Sequence, residues 1–305
     1  MTITGWFSIL AIAILFLLSS IGFALNLYIF CKFLKQPRPL SAFKKFCIIK
    51  AIPNMIVCAA FLFWAVPLSI ANLDYEDIPL LINIIVGQFS GVGAYILGPI
   101  LQLYMAFNRF YALYFPMRSM KTSRINLANI AIIIAIFASL MYTFSGFLPN
   151  ACGFIFDPAI YSWNSETNGC SRTVVDVFSW SIYFLAFASN SFNFITLCKL
   201  IFEKVGGMST TDNSSRRKRS IRMFTQSSLQ DCLHLADMIN ATIVYKFYSV
   251  LWWEFIFLSV SYLLIHVLDG AVMLYFHQEI HPMFIKSSRT KHSTQSIPSM
   301  FISVA

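Results

Sequence analysis

Charged residues are scarce in this sequence. Asp, Glu, Lys and Arg together account for 11% of its 305 residues, whereas apolar residues account for 58%. An average soluble protein is roughly one-quarter charged, so the surface of a soluble domain cannot be built from this composition. The apolar residues also stand in long runs rather than at the spacing of an amphipathic helix or strand. The composition therefore excludes a soluble domain and indicates an integral membrane protein.

Basic residues are absent ahead of the first apolar run, which covers residues 6–30. A cleaved signal peptide begins with basic residues and has a shorter apolar core, so we expect this run to remain as the first membrane helix. Cysteine accounts for only seven of the 305 residues, far below the proportion in a disulfide scaffold. Five of the seven cysteines lie within or beside apolar runs, where we expect them to act as small packing residues. A disulfide-rich scaffold is therefore excluded.

The apolar runs predict membrane-spanning helices. About 20 mostly apolar residues are needed to cross the hydrocarbon core, and a chain in lipid must satisfy its backbone hydrogen bonds internally. Six segments meet this requirement, and a seventh is weaker because it contains Gln230, Asp231, His234 and Asp237. In chain order, the predicted helices cover residues 6–31, 46–70, 80–107, 127–149, 174–201, 225–247 and 251–276.

The distribution of basic residues supports seven crossings. Nineteen of the 22 Lys and Arg residues lie in alternate connections, on the side that starts after the first helix and includes the tail. Because basic residues collect in cytoplasmic loops, the N-terminus is predicted outside and the C-terminus in the cytoplasm. A six-helix alternative leaves the polar segment 225–247 unexplained. We therefore predict an all-α seven-helix bundle over residues 1–286 and a disordered tail over 287–305.

The densest basic run consists of Arg216, Arg217, Lys218 and Arg219, between the fifth and sixth predicted helices. The topology explains this run as an orientation signal, so the net charge of +9 does not imply a nucleic-acid partner. On the cytoplasmic side the run is also positioned to contact an acidic protein or lipid headgroups.

Polar residues inside the predicted helices are costly in lipid and usually face the bundle interior. We predict that seven of them form an intramembrane polar network: Asn26, Asn54, Asp231, His234, Asp237, His266 and Asp269. His and Asp groups are also metal ligands. However, no HExxH motif or partnered catalytic serine is evident in the sequence. We therefore predict no metal, no cofactor and no enzymatic activity.

Two features stand at the ends of predicted helices. Arg109 follows Asn108 at the cytoplasmic end of the third helix, where an arginine either extends to lipid headgroups or has a specific role. Cys152 and Cys170 share the large outer loop, where an oxidising environment favours a disulfide over two free thiols. No cysteine lies between Cys58 and Cys152, so a disulfide from the third helix to this loop is excluded.

Several segments resemble the nematode serpentine receptors of class X, a group of seven-helix chemosensory receptors. They are NRFYALYFP at 108–116, the Cys152–Cys170 spacing with Tyr161 and Trp163 inside it, QDCLHLADM at 230–238, and WWEF followed by HVLDGAVMLYF within 252–276. The resemblance implies a G-protein-coupled receptor in the cell membrane, with a sensory cilium as the implied location. Its implied partners are a small-molecule or peptide ligand and a heterotrimeric G protein, which Asn108, Arg109 and the run 216–219 would face.

The chain also departs from common receptor motifs. Asn108 stands where many receptors have an acid, and Asp269–Gly270 occupies the region of the missing NPxxY motif. The second helix has no aspartate, so a sodium ion is expected only if Asp269 forms a site with Asn26 and Asn54.

Two other functional classes fit the sequence less well. A ligand-gated channel or small-molecule transporter is favoured only by the Gly-rich stretch 87–99, which close helix packing explains more simply. Transporters often contain internal repeats, and none is evident here. An intramembrane hydrolase would depend on the His and Asp groups alone.

Overall fold

The computed structural model describes residues 5–37, 42–115, 127–148, 153–165, 173–205 and 211–277. Within these residues the chain forms seven long helices and one β-hairpin. The helices are α1 Gly5–Leu34, α2 Ala42–Ala71, α3 Leu80–Tyr114, α4 Leu127–Ser145, α5 Thr173–Val205, α6 Thr211–Thr242 and α7 Leu251–Phe276. The hairpin pairs β1 Phe154–Asp157 with β2 Ser162–Ser165 in antiparallel register.

Six of these helices are long and apolar enough to cross a membrane, and α6 is the exception. Large apolar side chains lie exposed on the outside of the bundle, as at Trp180, Phe187 and Phe194 along α5. In water such a surface would aggregate, whereas in lipid it is in contact with acyl chains. The predicted class, an all-α membrane protein with a helical bundle, is confirmed.

Helix α6 is more polar than the other helices, and its polar side chains face the interior of the bundle rather than the lipid. Its buried side chains recur every three or four residues and are mostly polar: Gln226, Ser227, Gln230, Asp231, His234 and Asp237. Leu229 and Ile239 are exposed on the opposite face. This arrangement is the inverse of a soluble amphipathic helix, whose buried face is apolar. Mean hydropathy alone therefore fails to identify α6 as a helix of the membrane bundle. The helix also begins well before the predicted start at 225, and Val244–Phe247 forms a separate 3₁₀ turn.

The helices pack into a closed ring. α1 contacts α2 and α7, α3 contacts α2, α4, α5 and α6, and α6 contacts α5 and α7. Turns of π-helix interrupt α2 at Phe61–Ala65, α3 at Gln88–Ala94 and α7 at Phe255–Val260. Pro67 and Pro99 lie close after the first two turns and remove backbone donors there, which is a common cause of such irregularities.

The hairpin covers one end of the bundle, which we call the hairpin end; the other is the opposite end. Asn83 of α3 binds it through two hydrogen bonds, donating from Nδ2 to the carbonyl of Phe156 at 2.9 Å and accepting from the Phe156 N–H at 3.0 Å. Trp64 of α2 also donates to Asn83 Oδ1, at 3.1 Å. A Cβ at Gly87 would lie 1.9 Å from the Phe154 carbonyl, so only glycine permits this approach.

We expect Asn83→Leu to lower the free energy of unfolding, because it leaves two buried backbone groups of Phe156 unpaired at a cost of about 1–3 kcal/mol each. The melting temperature of the purified protein in detergent measures this effect. Asn164→Leu, a matched change on β2, should have a much smaller effect. Equal losses from the two changes would mean that Asn83 does not anchor the hairpin.

Candidate functional site

An ion pair lies in the middle of the bundle. Lys50 Nζ on α2 is 2.6 Å from Asp269 Oδ1 on α7, and both side chains are 1% exposed. Asn54, one turn after Lys50, donates to the other oxygen of Asp269 at 2.8 Å. A single buried charge costs several kcal/mol, whereas a hydrogen-bonded pair recovers much of that cost. The burial of each charge is therefore tolerated only because the other charge is present.

The network around this pair extends to α1. Asn54 donates to Asn26 Oδ1 at 3.1 Å, and Asn26 donates to the backbone carbonyls of Gly22 at 2.8 Å and His266 at 3.2 Å. The His266 Nδ1 atom lies 2.9 Å from Asn54 Oδ1. A Cβ at Gly270 would come within 2.9 Å of the Asn26 amide, so this glycine allows α1 and α7 to approach. The network thus joins α1, α2 and α7.

Four of the predicted network residues meet here: Asn26, Asn54, His266 and Asp269. Lys50 was not among the predicted network residues, although it lies inside the second predicted helix, 46–70. The signal was present, since a lysine in a membrane helix requires a counter-ion. The structure also bears on the sodium hypothesis, because Lys50 provides the positive charge that the hypothesis assigned to a sodium ion at Asp269.

The remaining three predicted residues lie on the buried face of α6 but have different neighbours. Asp231 accepts hydrogen bonds from Ser189 at 2.8 Å and from Asn193, both on α5. The ring centroid of His234 lies 6.2 Å from that of His266 and 6.3 Å from that of Tyr95. Among the described residues, no group of three or more potential metal ligands occurs.

Asp237 borders a cavity of about 180 Å³ at the hairpin end. The Tyr95 hydroxyl donates to Asp237 Oδ2 at 2.9 Å, and the Ser261 hydroxyl donates to Oδ1 at 2.8 Å. Most of the wall is apolar or aromatic, with contributions from α3, α5, α6, α7 and the hairpin. Its aromatic residues are Tyr95, Phe154, Trp163, Phe178, Tyr183 and Tyr262.

The hairpin forms part of this wall. Phe154 and Trp163 lie on the paired strands, with their rings stacked at 6.4 Å between centroids and 12° between planes. A Cβ at Gly91 of α3 would overlap the Phe154 ring at 2.2 Å, so this glycine leaves room for the ring beside the cavity. The position of the hairpin on α3 therefore shapes the cavity.

Arg109 lies at the opposite end, on α3. Its guanidinium carbon is 5.2 Å from the centre of the Phe43 ring on α2, within the range of a cation–π contact. All three of its guanidinium nitrogens are buried and make no hydrogen bond within the described part of the chain. The side chain is thus drawn into the bundle rather than extended to the surface, while the neighbouring Asn108 is exposed.

Two predictions fall outside what the structure describes. Cys152 and Cys170 lie beyond the described residues. Arg216, Arg217, Lys218 and Arg219 belong to the N-terminal part of α6, but their side chains are not described.

A family model for serpentine type 7TM GPCR chemoreceptors, Srx, matches residues 16–277. This range contains most of the chain, including every residue of the network, the cavity and the hairpin described above, so the chain belongs to this family. The family is one of receptors rather than enzymes, and the chain is a multi-pass membrane protein. A comparison with curated proteins found no match.

We expect Lys50→Met to reduce the free energy of unfolding by about 3–5 kcal/mol, because it leaves the Asp269 carboxylate buried without a counter-charge. The double variant Lys50→Met/Asp269→Asn should recover much of this loss, since no buried charge remains. Thermal unfolding of the parent, the two single variants and the double variant measures the coupling. Strictly additive losses would argue against a direct interaction.

Sodium should not stabilise the parent, because the Lys50 ammonium already occupies the Asp269 carboxylate. In Lys50→Met, by contrast, sodium should raise the melting temperature, and the added change Asp269→Asn should abolish that response. The comparison is between sodium chloride and N-methylglucamine chloride at about 0.15 M, so that screening is equal. A sodium effect in the parent that Asp269→Asn removes would favour the original sodium hypothesis.

Proposed function

We propose that the chain is a chemosensory receptor of the cell membrane that binds a small extracellular molecule in the cavity and activates a heterotrimeric G protein. The hairpin end would face outward and the opposite end would face the cytoplasm. Membership of a GPCR chemoreceptor family supports the receptor role. The observation that carries the rest is a continuous series of side-chain contacts through the bundle from the cavity to Arg109.

The first part of this series runs from the cavity to the ion pair. Tyr95 lines the cavity, and its ring centroid is 6.5 Å from that of His266. Tyr262, also in the wall, is closer to His266, at 5.2 Å. His266 contacts Asn54, which binds Asp269. A ligand that displaces either tyrosine would therefore act on the network directly.

The second part runs from the ion pair to Arg109. Gln230 on α6 donates to the backbone carbonyl of Asp269 at 3.5 Å, and Gln226, one turn earlier, donates to Cys47 Sγ at 3.9 Å. The Cys47 sulfur lies 3.8 Å from His277 Nε2. The His277 ring in turn stacks on the Phe43 ring, with 5.8 Å between centroids, and the Arg109 guanidinium lies over the Phe43 ring. Weak contacts of this kind can break and re-form when the helices move relative to one another.

The charge distribution supports the proposed orientation. Lys32, Lys45 and Lys199 lie at the opposite end, with Arg109, whereas the short connection at the hairpin end contains Asp74, Glu76 and Asp77. Basic residues favour the cytoplasmic face. This orientation gives an extracellular molecule access to the cavity and gives a cytoplasmic protein access to Arg109.

The size of the cavity favours a small molecule over a peptide. Pockets for drug-sized ligands are about 300–1,000 Å³, and this one is about 180 Å³. Binding would shift the population towards conformations in which α3 and α6 separate at the opposite end. Arg109, whose donors are buried and unpaired in the described conformation, would then become available to the G protein.

Arg109→Ala should abolish G-protein activation at unchanged surface expression, because it removes the group proposed to meet the G protein. Parent and variant would be compared in a heterologous cell against a panel of small odorants, with Lys35→Ala, an exposed lysine at the same end, as the control. Normal activation by Arg109→Ala would contradict the proposal. A ligand-evoked current that survives G-protein blockade would indicate a channel instead.

A further inference from the structure

Asp237 differs from Asp269, the buried acid that pairs with Lys50, in lacking a cation. Asp269 pairs with Lys50, whereas no Lys, Arg or His side chain among the described residues lies within ion-pair distance of Asp237. Its side chain is only 2% exposed, yet it borders the cavity. A carboxylate in this position calls for a partner, since ionisable groups inside a membrane protein are costly when they are unpaired.

The hydrogen bonds of Asp237 leave room for such a partner. Tyr95 and Ser261 each donate one hydrogen bond, to different carboxylate oxygens. A carboxylate offers about four acceptor positions, so about two remain. The two hydroxyls also fix the orientation of the carboxylate, which preorganises it for a ligand.

The rest of the cavity wall suits an organic cation. Asp237 is the only acidic or basic side chain among the described residues that line it. Tyr95 and Tyr262 stand 5.4 Å apart between ring centroids, and Phe178 lies 6.4 Å from Tyr95. The faces of such rings attract ammonium groups, most strongly where water is excluded. The wall therefore combines one negative charge with several aromatic surfaces.

We infer that the ligand of this receptor is a small organic ammonium ion, a primary amine on an aromatic or short apolar body, with its nitrogen on the Asp237 carboxylate. The identity of the ligand as an activator rests on the proposed function; its binding does not. The cavity volume of about 180 Å³ limits the body to roughly the size of a single aromatic amine.

The test uses the full chain, purified in detergent, and measures its melting temperature with matched probes. The probes are 2-phenylethylamine and tryptamine, each compared with its uncharged alcohol, 2-phenylethanol and tryptophol. A ligand that binds only the folded state raises the melting temperature. The amines should do so at concentrations at least tenfold lower than the alcohols. Equal effects of amine and alcohol, or no effect of either amine, would overturn the inference.

Two variants locate the interaction. Asp237→Asn preserves the size of the side chain and an acceptor oxygen, and should abolish the preference for the amines. Glu254→Gln removes a negative charge from the hairpin-end part of α7 without touching the cavity, and should preserve it. An unchanged preference in Asp237→Asn would overturn the inference.

A second pair of variants leaves the carboxylate intact, in case Asp237→Asn does not fold. Ala241→Phe fills the cavity from α6 and should remove the amine response, whereas Ala236→Phe adds the same ring to the exposed face of α6 and should not. A response that survives Ala241→Phe would mean that the amine binds elsewhere.

The outcomes also separate this inference from the proposed function. An amine that stabilises the protein but causes no G-protein activation would support the ammonium site and contradict the signalling role. Activation by an uncharged odorant that persists in Asp237→Asn would support the signalling role and contradict the ammonium site.

Discussion

The ion pair between Lys50 and Asp269 joins α2 to α7 at a depth where neither charge can reach water. Hydrocarbon offers no hydrogen bonds, so every polar group in the bundle must find its partner in the protein. The asparagines around the pair, the inward polar face of α6 and the glycine that admits Asn26 all follow from this constraint. The same constraint makes Asp237 conspicuous, because its partners are two hydroxyls at the edge of a cavity.

The hairpin illustrates how the same requirement shapes the other end of the bundle. With no cysteine on α3, a disulfide cannot hold the loop there. Asn83 instead pairs with both backbone groups of Phe156 in the manner of a neighbouring strand, and Gly87 and Gly91 let the loop approach closely. Hydrogen bonds of this kind are individually weak in water but strong where water is excluded. The cavity wall consequently depends on a non-covalent attachment.

The sequence was sufficient to predict a helical membrane bundle, because long apolar runs and alternating basic loops follow directly from the properties of lipid. It also predicted an inward-facing polar network that included Asn26, Asn54, His266 and Asp269, since polar residues in membrane helices turn inward, but it did not separate these four from Asp231, His234 and Asp237. The pairing of Lys50 with Asp269 required knowledge of which helices adjoin, and periodicity within one helix cannot provide it. The Asn83 contact was equally inaccessible, because an asparagine near a helix end has many possible partners.

The central claim is that the Lys50 and Asp269 side chains are both ionised and paired within the membrane. The infrared spectrum of the Asp269 carboxyl group tests it. The difference between the spectra of the parent and Asp269→Asn isolates the vibration of this single group. An ionised pair predicts the loss of a carboxylate stretching band and no loss of a protonated carbonyl band. The loss of a protonated carbonyl band would show that Asp269 is neutral, and Lys50 would then not be held by an ion pair.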